Sequence, residues 1–326
     1  MPGAALADQA VVVTGGAGFL GRRVVAELEL RGAEPIVARS ADYDLTAAGS
    51  AEQLVADHRP TLLIHLAAKV GGIGFNQAEP APLYLANLLM GTHVIEAART
   101  GDVAKTVLIG TVCSYPKFTP VPFEEASLWD GYPEETNAPY GIAKKANLVH
   151  AQVNAAQYGQ RFAYLIPTNL YGPGDKFHPA VSHVIPAMIR KTVLAEEAGE
   201  HHVDVWGTGR ASREYLYVDD AARAIVDAAE RHAPDDGRVE PINLGTNREV
   251  TIRETVETIA RLVGFDGELR WDPSKPDGQP RRRVDATRAN ELLGWKATVP
   301  FEEGLRTTID WYLANRVAAE RFPDAS

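Results

Sequence analysis

Val11-Val12-Val13-Thr14-Gly15-Gly16-Ala17-Gly18-Phe19-Leu20-Gly21-Arg22 is the stretch on which the reading of this chain turns. A β-branched run ends in a glycine-rich turn. Leu20, Val24 and Leu28 then recur every four residues until Gly32 stops the pattern. That order reads as strand, turn and amphipathic helix. Gly15, Gly18 and Gly21 fall three residues apart at the junction, with Phe19 and Leu20 between the last two. Glycines so placed let the backbone turn tightly and bring helix N-terminal amides up to a pyrophosphate, so the stretch predicts a dinucleotide site.

Working outward, Pro35 to Ala38, Leu62 to Ala67, Thr106 to Gly110 and Ala163 to Pro167 are further short apolar strands. Helical patterns lie between them at Ala51 to Asp57, Leu83 to Arg99 and Pro139 to Tyr158. Strands alternating with helices predict an α/β fold: a Rossmann-type, doubly wound parallel sheet covered on both faces. Ligands of such sheets bind beyond the carboxyl ends of the strands, so chemistry should follow each apolar run. Beyond Gly172 the pattern changes. Pro173 to His183 is loop-rich, Val184 to Ala195 helical, Glu214 to Tyr217 strand-like, Asp219 to Arg231 helical and Pro241 to Leu244 a strand. Thr251 to Leu262 reads as a helix capped by Thr251 with Glu254 three residues on, and Asp272 to Arg283 as a Pro/Gly/Arg loop. The expected division is a dinucleotide-binding domain over 1–172, with 213–247 returning to it. A smaller, interleaved α/β C-terminal substrate domain takes 173–212 and 248–326.

The second strand ends Val37-Ala38-Arg39-Ser40. No acid stands there to hold a ribose 2′-hydroxyl, whereas Arg39 and Ser40 suit a 2′-phosphate, so the expected cofactor is NADP(H). Arg22 is placed to help. Asp44-Leu45 either contacts the adenine or begins a helix.

Tyr140 and Lys144, four apart in a helix, share a face. Reduction of a ketone leaves negative charge on oxygen and requires a proton. A tyrosine whose phenolate is favoured by a nearby ammonium can supply it, with Thr111 after the fourth strand as a hydroxyl partner.

The 33 basic and 43 acidic residues among 326 give a net charge of −10, which disfavours a nucleic-acid partner while leaving room for a local phosphate site. The single cysteine, Cys113, excludes an internal disulfide and a four-cysteine zinc site, and no metal is expected. No secretory signal or membrane-length apolar run is seen, so a cytoplasmic protein is expected.

Larger motifs carry a resemblance. They are Ala67-Ala68-Lys69-Val70-Gly71-Gly72-Ile73, Cys113-Ser114-Tyr115-Pro116-Lys117, Asn137 to Lys144, Pro167-Thr168-Asn169-Leu170-Tyr171-Gly172-Pro173 and Phe177-His178-Pro179. Ser182 to Ala187, Trp206 to Gly209, Arg213-Glu214, Val218-Asp219-Asp220 and Lys275-Pro276-Asp277-Gly278 continue them. Nearly end to end, the chain resembles the GDP-L-fucose synthase family, the epimerase-reductases of the extended short-chain dehydrogenases. The resemblance implies that GDP-4-keto-6-deoxy-D-mannose is epimerised at C3 and C5 and then reduced at C4 by NADPH, in a homodimer. It makes Cys113 the carbon base and His183 the acid, with Thr111 and Tyr140 facing O4. It puts Ala67, Ala68, Lys69, Pro167, Asn169, Leu170, Tyr140, Lys144 and His183 at the cofactor. Asn169, Lys191, Trp206, Arg213 and Arg282 fall at the GDP-sugar. Arg213 and the Arg281-Arg282-Arg283 run are expected on the diphosphate, and Trp206 either borders the base or sits in a core.

Thr111 stands where the family has serine, Lys191 where arginine is common, Arg282 where lysine is, and Ser114 where an apolar residue is usual. Leu128 to Pro133 also differs. These departures keep two other readings open: a related GDP-hexose or GDP-heptose epimerase, with or without net reduction, and a catalytically silent NADP-binding regulator.

Overall fold

The computed structural model describes residues 5–321 apart from 72, 233, 235 and 276 and the side chain of 73. Gly72, the Ile73 side chain and Pro276 of the quoted motifs therefore lie outside the described residues, as do the extreme ends of the expected domains.

Six strands form one parallel sheet. In chain order the elements are β1 (Val11–Thr14), α1 (Phe19–Leu30), β2 (Ile36–Ala38), α2 (Ser50–His58), β3 (Leu62–His65), α3 (Ile73–Ala78), α4 (Pro80–Thr100), β4 (Lys105–Ile109), α5 (Ala138–Tyr158) and β5 (Phe162–Pro167). There follow β6 (Asn169–Tyr171), α6 (Val184–Ala198), β7 (His202–Trp206), β8 (Ser212–Arg213), β9 (Tyr215–Tyr217), α7 (Val218–Arg231) and β10 (Pro241–Leu244). The chain closes with β11 (Val250–Thr251), α8 (Ile252–Val263), β12 (Glu268–Asp272), α9 (Thr287–Leu293) and α10 (Phe301–Ala319). The sheet order is β10-β5-β4-β3-β1-β2, so the chain reverses direction beside β1 and again returns late to the far edge. Every residue of β1, β3 and β5 is buried, as a strand covered on both faces requires.

Among the described residues apolar packing forms two bodies, the sheet with three clusters and a single cluster beyond it. One gathers Val11, Val13, Leu28, Ile64, Leu165 and Ile225 around the sheet. The other gathers Tyr171, Phe177, Ile189, Val205, Ile259 and Tyr312 beyond its carboxyl ends. Each fully buried aliphatic side chain of this size contributes roughly 1.5–3 kcal/mol. β9 joins the two bodies by alternation: Leu216 packs against the sheet while Tyr215 and Tyr217 face the second core.

Most expected elements occur within a residue or two of their reading. α8 begins with the expected capping box, Thr251 accepting from Glu254 N while the Glu254 carboxylate accepts from Thr251 N. The strand expected over Glu214–Tyr217 is β9, which begins one residue later at Tyr215, and the Glu214 carboxylate before it accepts from the amides of Thr246, Asn247 and Val284. β7, β12, α3, α9 and α10 were not anticipated. β7 and β12 pair with each other from 66 residues apart, by register His202 with Glu268. The stretch expected to belong wholly to the second body is split. Ala289, Leu293 and Trp295 pack on the sheet side, where Trp295 Nε1 donates to the Asp220 carbonyl, while α10 packs on the other. No helix among the described residues is long and apolar enough to cross a membrane.

Candidate active site

The turn after β1 is built by close backbone approach. Gly15 has φ +71°, and a β-carbon there would stand 2.6 Å from the Ala67 nitrogen. One at Gly21 would strike the Gly15 carbonyl, so the first turn of α1 lies directly on the loop. Gly18 at the helix N-cap supplies no capping side chain, which leaves the first amides of α1 for an anion. An open cavity of about 480 Å³ is lined by Gly16, Ala17, Arg22, Val37 and Arg39, among others. Arg22 and Arg39 are exposed, and among the described residues neither guanidinium has an ion-pair partner. Phe19 and Leu20 open α1, and Ser40 is exposed beside Arg39. Asp44 is committed locally, accepting from the amide and hydroxyl of Thr46 at 3.0 and 2.7 Å, and Leu45 is buried in the core. Asp44 opens a turn with one carboxylate oxygen, and the residue is exposed.

The loop after β3 carries Ala67, Ala68 and Lys69, all half-buried. Buried Asn87 of α4 pins it, its amide oxygen accepting from Lys69 N at 3.2 Å and its amide nitrogen donating to Lys69 O at 2.8 Å. His65 shares a 2.8 Å hydrogen bond with Thr14 Oγ1 across β3 and β1, and its ring is held neutral, pushed down to about 3 by burial and then by the Lys144 charge.

The turn after β4 positions the reacting groups. Thr111 caps a short 3₁₀ turn over Val112–Ser114, its hydroxyl accepting from Cys113 N at 3.2 Å. Cys113 is half-buried and lies close enough to Tyr140 for its charge to raise that phenol. Gly141 lets α5 approach so closely that a β-carbon there would meet the Cys113 carbonyl. Lys144 is 3% exposed, with Nζ 5.9 Å from the Tyr140 ring centroid, and the Tyr164 hydroxyl donates to its carbonyl at 2.8 Å. Burial pushes Lys144 down to about 8, so the ammonium still prevails at neutral pH. The expected depression of the Tyr140 phenol is not what the structure produces. Burial, and then the neighbouring sulfur, push it up, so the hydroxyl stays protonated and suits a donor.

His183 stands at the N-cap of α6 and is exposed. Desolvation and then the Lys176 charge push its ring down, opposed by a hydrogen bond to the Gly71 backbone. Pro167 ends β5, and Asn169 and Leu170 open β6, with Asn169 Nδ2 donating to Glu214 O at 2.9 Å.

At the outer end, Trp206 is 64% exposed, with the ammonium groups of Lys275 and Lys191 5.5 and 6.0 Å from its ring centroid. It is therefore a platform edged by two cations, not a core residue. Arg213 spends its fork on carbonyls, donating to Ser212 O, Gln279 O and Asp277 O at 2.7, 2.6 and 3.2 Å. The Arg281-Arg282-Arg283 run does not act as one patch. Arg281 pairs with Glu249, Arg283 donates to Asn247 O at 3.3 Å, and buried Arg282 has Nη1 3.6 Å from Cys113 Sγ. The extended backbone around Arg283, whose carbonyl accepts from Phe123 N, turns neighbouring side chains to different sides.

A model of the NAD dependent epimerase/dehydratase family matches residues 11–245, from the first strand of the sheet to the last. The chain belongs to that family. Among its relatives, the "Probable GDP-L-fucose synthase 1" of Oryza sativa subsp. japonica is 41% identical, over 97% of this chain and 96% of its own. The GDP-L-fucose synthase of Escherichia coli strain K12 is 39% identical, over 95% and 98%. The crystal structure of a GDP-L-fucose synthetase from Naegleria fowleri bound to NADP superposes with a TM-score of 0.85 at 29% identity, covering 96% of this chain and 97% of that one.

Within this family member, several site residues escaped the sequence reading. Asn87, His65, Tyr164 and Gln279 lie on elements whose spacing marks no chemistry, and only their tertiary partners reveal them. Ser114, which stands where an apolar residue is usual, is 1% exposed and donates to Gly141 O at 3.0 Å. It ties the turn to α5 and faces away from the site.

Proposed function

We propose that this chain converts GDP-4-keto-6-deoxy-D-mannose to GDP-L-fucose, inverting C3 and C5 and reducing C4 with NADPH. The carrying observation is the placement of Cys113 by the Thr111 cap beside Tyr140, which sets a lone thiol next to a ketone-reducing pair. A plain reductase needs no such thiol. The names of relatives 39–41% identical over nearly the whole chain support the same reading.

The glycine turn and the free amides of α1 would hold the pyrophosphate, Arg22 and Arg39 the 2′-phosphate, and Lys144 the nicotinamide ribose. NADPH, when bound, supplies the hydride to C4. Thr111 and Tyr140 hydrogen-bond O4, so that charge moving onto that oxygen is stabilised and the C3 and C5 protons become removable. At each centre Cys113 takes the proton from one face and His183 returns one to the other. Before the second inversion the thiol gives its proton to solvent and the imidazole takes one up. The depressed ring pKa of His183 makes its imidazolium a stronger acid, though a less populated one at neutral pH. Tyr140 finally gives its proton to O4, with the Lys144 ammonium offsetting the phenolate left behind. Trp206 would stack on guanine, and Lys191 and Lys275 beside it would meet the phosphates.

The same reading divides the chain as expected, the cofactor on 1–172 with 213–247 and the GDP-sugar on 173–212 and 248–326, with α9 seated on the cofactor side. It also implies a homodimer. Tyr84 and Leu85 of α4 and Val149 and Val153 of α5 are exposed, an apolar face suited to a second copy.

Incubation with GDP-4-keto-6-deoxymannose and NADPH in heavy water tests the reading. It expects GDP-L-fucose bearing deuterium at C3 and C5 and one NADPH consumed per product. Label at one carbon only, or no net NADPH use, overturns it.

A further inference from the structure

Arg282 is 7% exposed, and among the described residues no carboxylate pairs with its guanidinium, whereas its neighbour Arg281 holds Glu249. A buried charge without a counter-charge is costly. The group it does meet is Cys113, with Nη1 3.6 Å from Sγ. The other side of its fork is locked, Nε and Nη2 donating to Gln279 Oε1 at 3.1 and 3.0 Å. Gln279 is itself 6% exposed and oriented at both ends. Its Nε2 donates to Lys117 O at 2.9 Å, and its backbone carbonyl accepts from Arg213 at 2.6 Å.

We propose that Gln279 and Arg282 are positioning residues that supply the counter-ion for a thiolate at Cys113, so that Arg282 activates the carbon base instead of gripping the diphosphate. The inference rests on Cys113 being that base. A guanidinium in contact with sulfur favours the thiolate, the form that accepts a proton from carbon. The other charged or titratable groups facing the sulfur are Tyr140, kept neutral as described, and Arg213 at longer range with its fork on carbonyls. Arg282 is the cation in contact. Because Gln279 engages two of its donors side by side, the third direction, toward Sγ, is fixed without substrate.

Cys113 is the single cysteine, so alkylation by iodoacetamide reports on this thiol alone. Alkylation is expected to slow by about tenfold or more at neutral pH in Arg282→Met and to return to the wild-type rate near pH ~10, where every thiol is ionised. That convergence separates lost charge from altered access. Arg282→Lys should restore most of the neutral rate, and Arg281→Met should leave it unchanged. If Arg282→Met does not fold, Gln279→Leu, which frees the fork and keeps the charge, should slow neutral alkylation by about threefold. Equal neutral rates in the folded variant and the wild type overturn the inference, as does a slowing that persists at high pH. The outcome stands apart from the substrate assignment. A shifted alkylation profile without deuterium exchange into the 4-keto sugar would leave the relay and remove the reading above. Exchange with an unshifted profile would do the reverse and return Arg282 to the diphosphate.

Discussion

The turn after β1 and the turn after β4 occupy equivalent places at the carboxyl ends of neighbouring parts of one sheet, yet they are assembled differently. The first is made almost entirely by residues within one strand–turn–helix unit: Gly15, Gly18 and Gly21, with Arg22 close behind and Arg39 from the adjacent strand. The second borrows from across the chain. Thr111 and Cys113 are local, but Gly141 sets the depth of α5, and Arg282 reaches Cys113 from 169 residues away. A group that only needs backbone amides and a phosphate clamp can be built locally. A group that must be held next to a reacting carbon needs walls from several elements, because rotamers are locked only by packing.

The sharpest way to break that contrast is to divide the second turn itself. Cys113→Ser should lower deuterium incorporation at C3 and C5 by about 10²–10⁴-fold, while C4 reduction of the unepimerised ketone continues. Tyr140→Phe should do the opposite, lowering reduction by a similar factor while exchange survives, since Thr111 still faces O4. Mass spectrometry of the product sugar reads both. Loss of both activities in both variants would show that the turn acts as one indivisible unit.

The first turn is tested next. Arg39→Asp removes a charge-assisted contact of ~1.5–3 kcal/mol and should weaken NADPH binding by about tenfold to about a hundredfold. GDP affinity should not move, since the arginine lies at the opposite end of the site. Titration calorimetry with each ligand measures both, and unchanged NADPH affinity would take the 2′-phosphate away from this residue.

His65, which ties β3 to β1 through Thr14, gives a pH signature. Burial, and then Lys144, push its ring from 6.5 to about 3. Between those values the unfolded chain binds a proton that the folded chain refuses. The stability contributed is therefore fully present above about pH 6.5 and is lost as pH falls through the window. Denaturant midpoints measured across that range should decline with acid in the wild type and decline less in His65→Asn. Parallel curves would assign the acid limb to other groups.

The smallest effect is expected at the N-terminus of α8 in the second body. Thr251→Ala removes the cap of α8 and should cost about 1 kcal/mol by chemical denaturation, with exchange and reduction both unchanged. A change in either rate would mean that the capped end communicates with the site.

Much of this was legible in order along the chain. The β-branched runs, the glycines at the end of β1 and the four-residue spacing of Tyr140 and Lys144 express short-range physics, and each appeared where expected. β7 and β12 were missed because their partners are 66 residues apart. The arginine run misled because adjacency in sequence says nothing about direction. Arg281, Arg282 and Arg283 end on three different groups. Ser114 likewise reads as a neighbour of the base but faces the Gly141 carbonyl.

By itself the sequence determined the alternation of strands and helices, the pyrophosphate turn, the lack of an acid after β2, and the shared helix face of Tyr140 and Lys144. These follow from backbone freedom, side-chain size and charge over a few residues. Only the tertiary structure decided that Tyr140 stays protonated, that Trp206 is a platform and that Arg282 meets sulfur. Burial and the direction of a side chain are set by what other elements leave open. No local pattern encodes the desolvation that moves a pKa or the distant amide of Gln279 that aims a guanidinium.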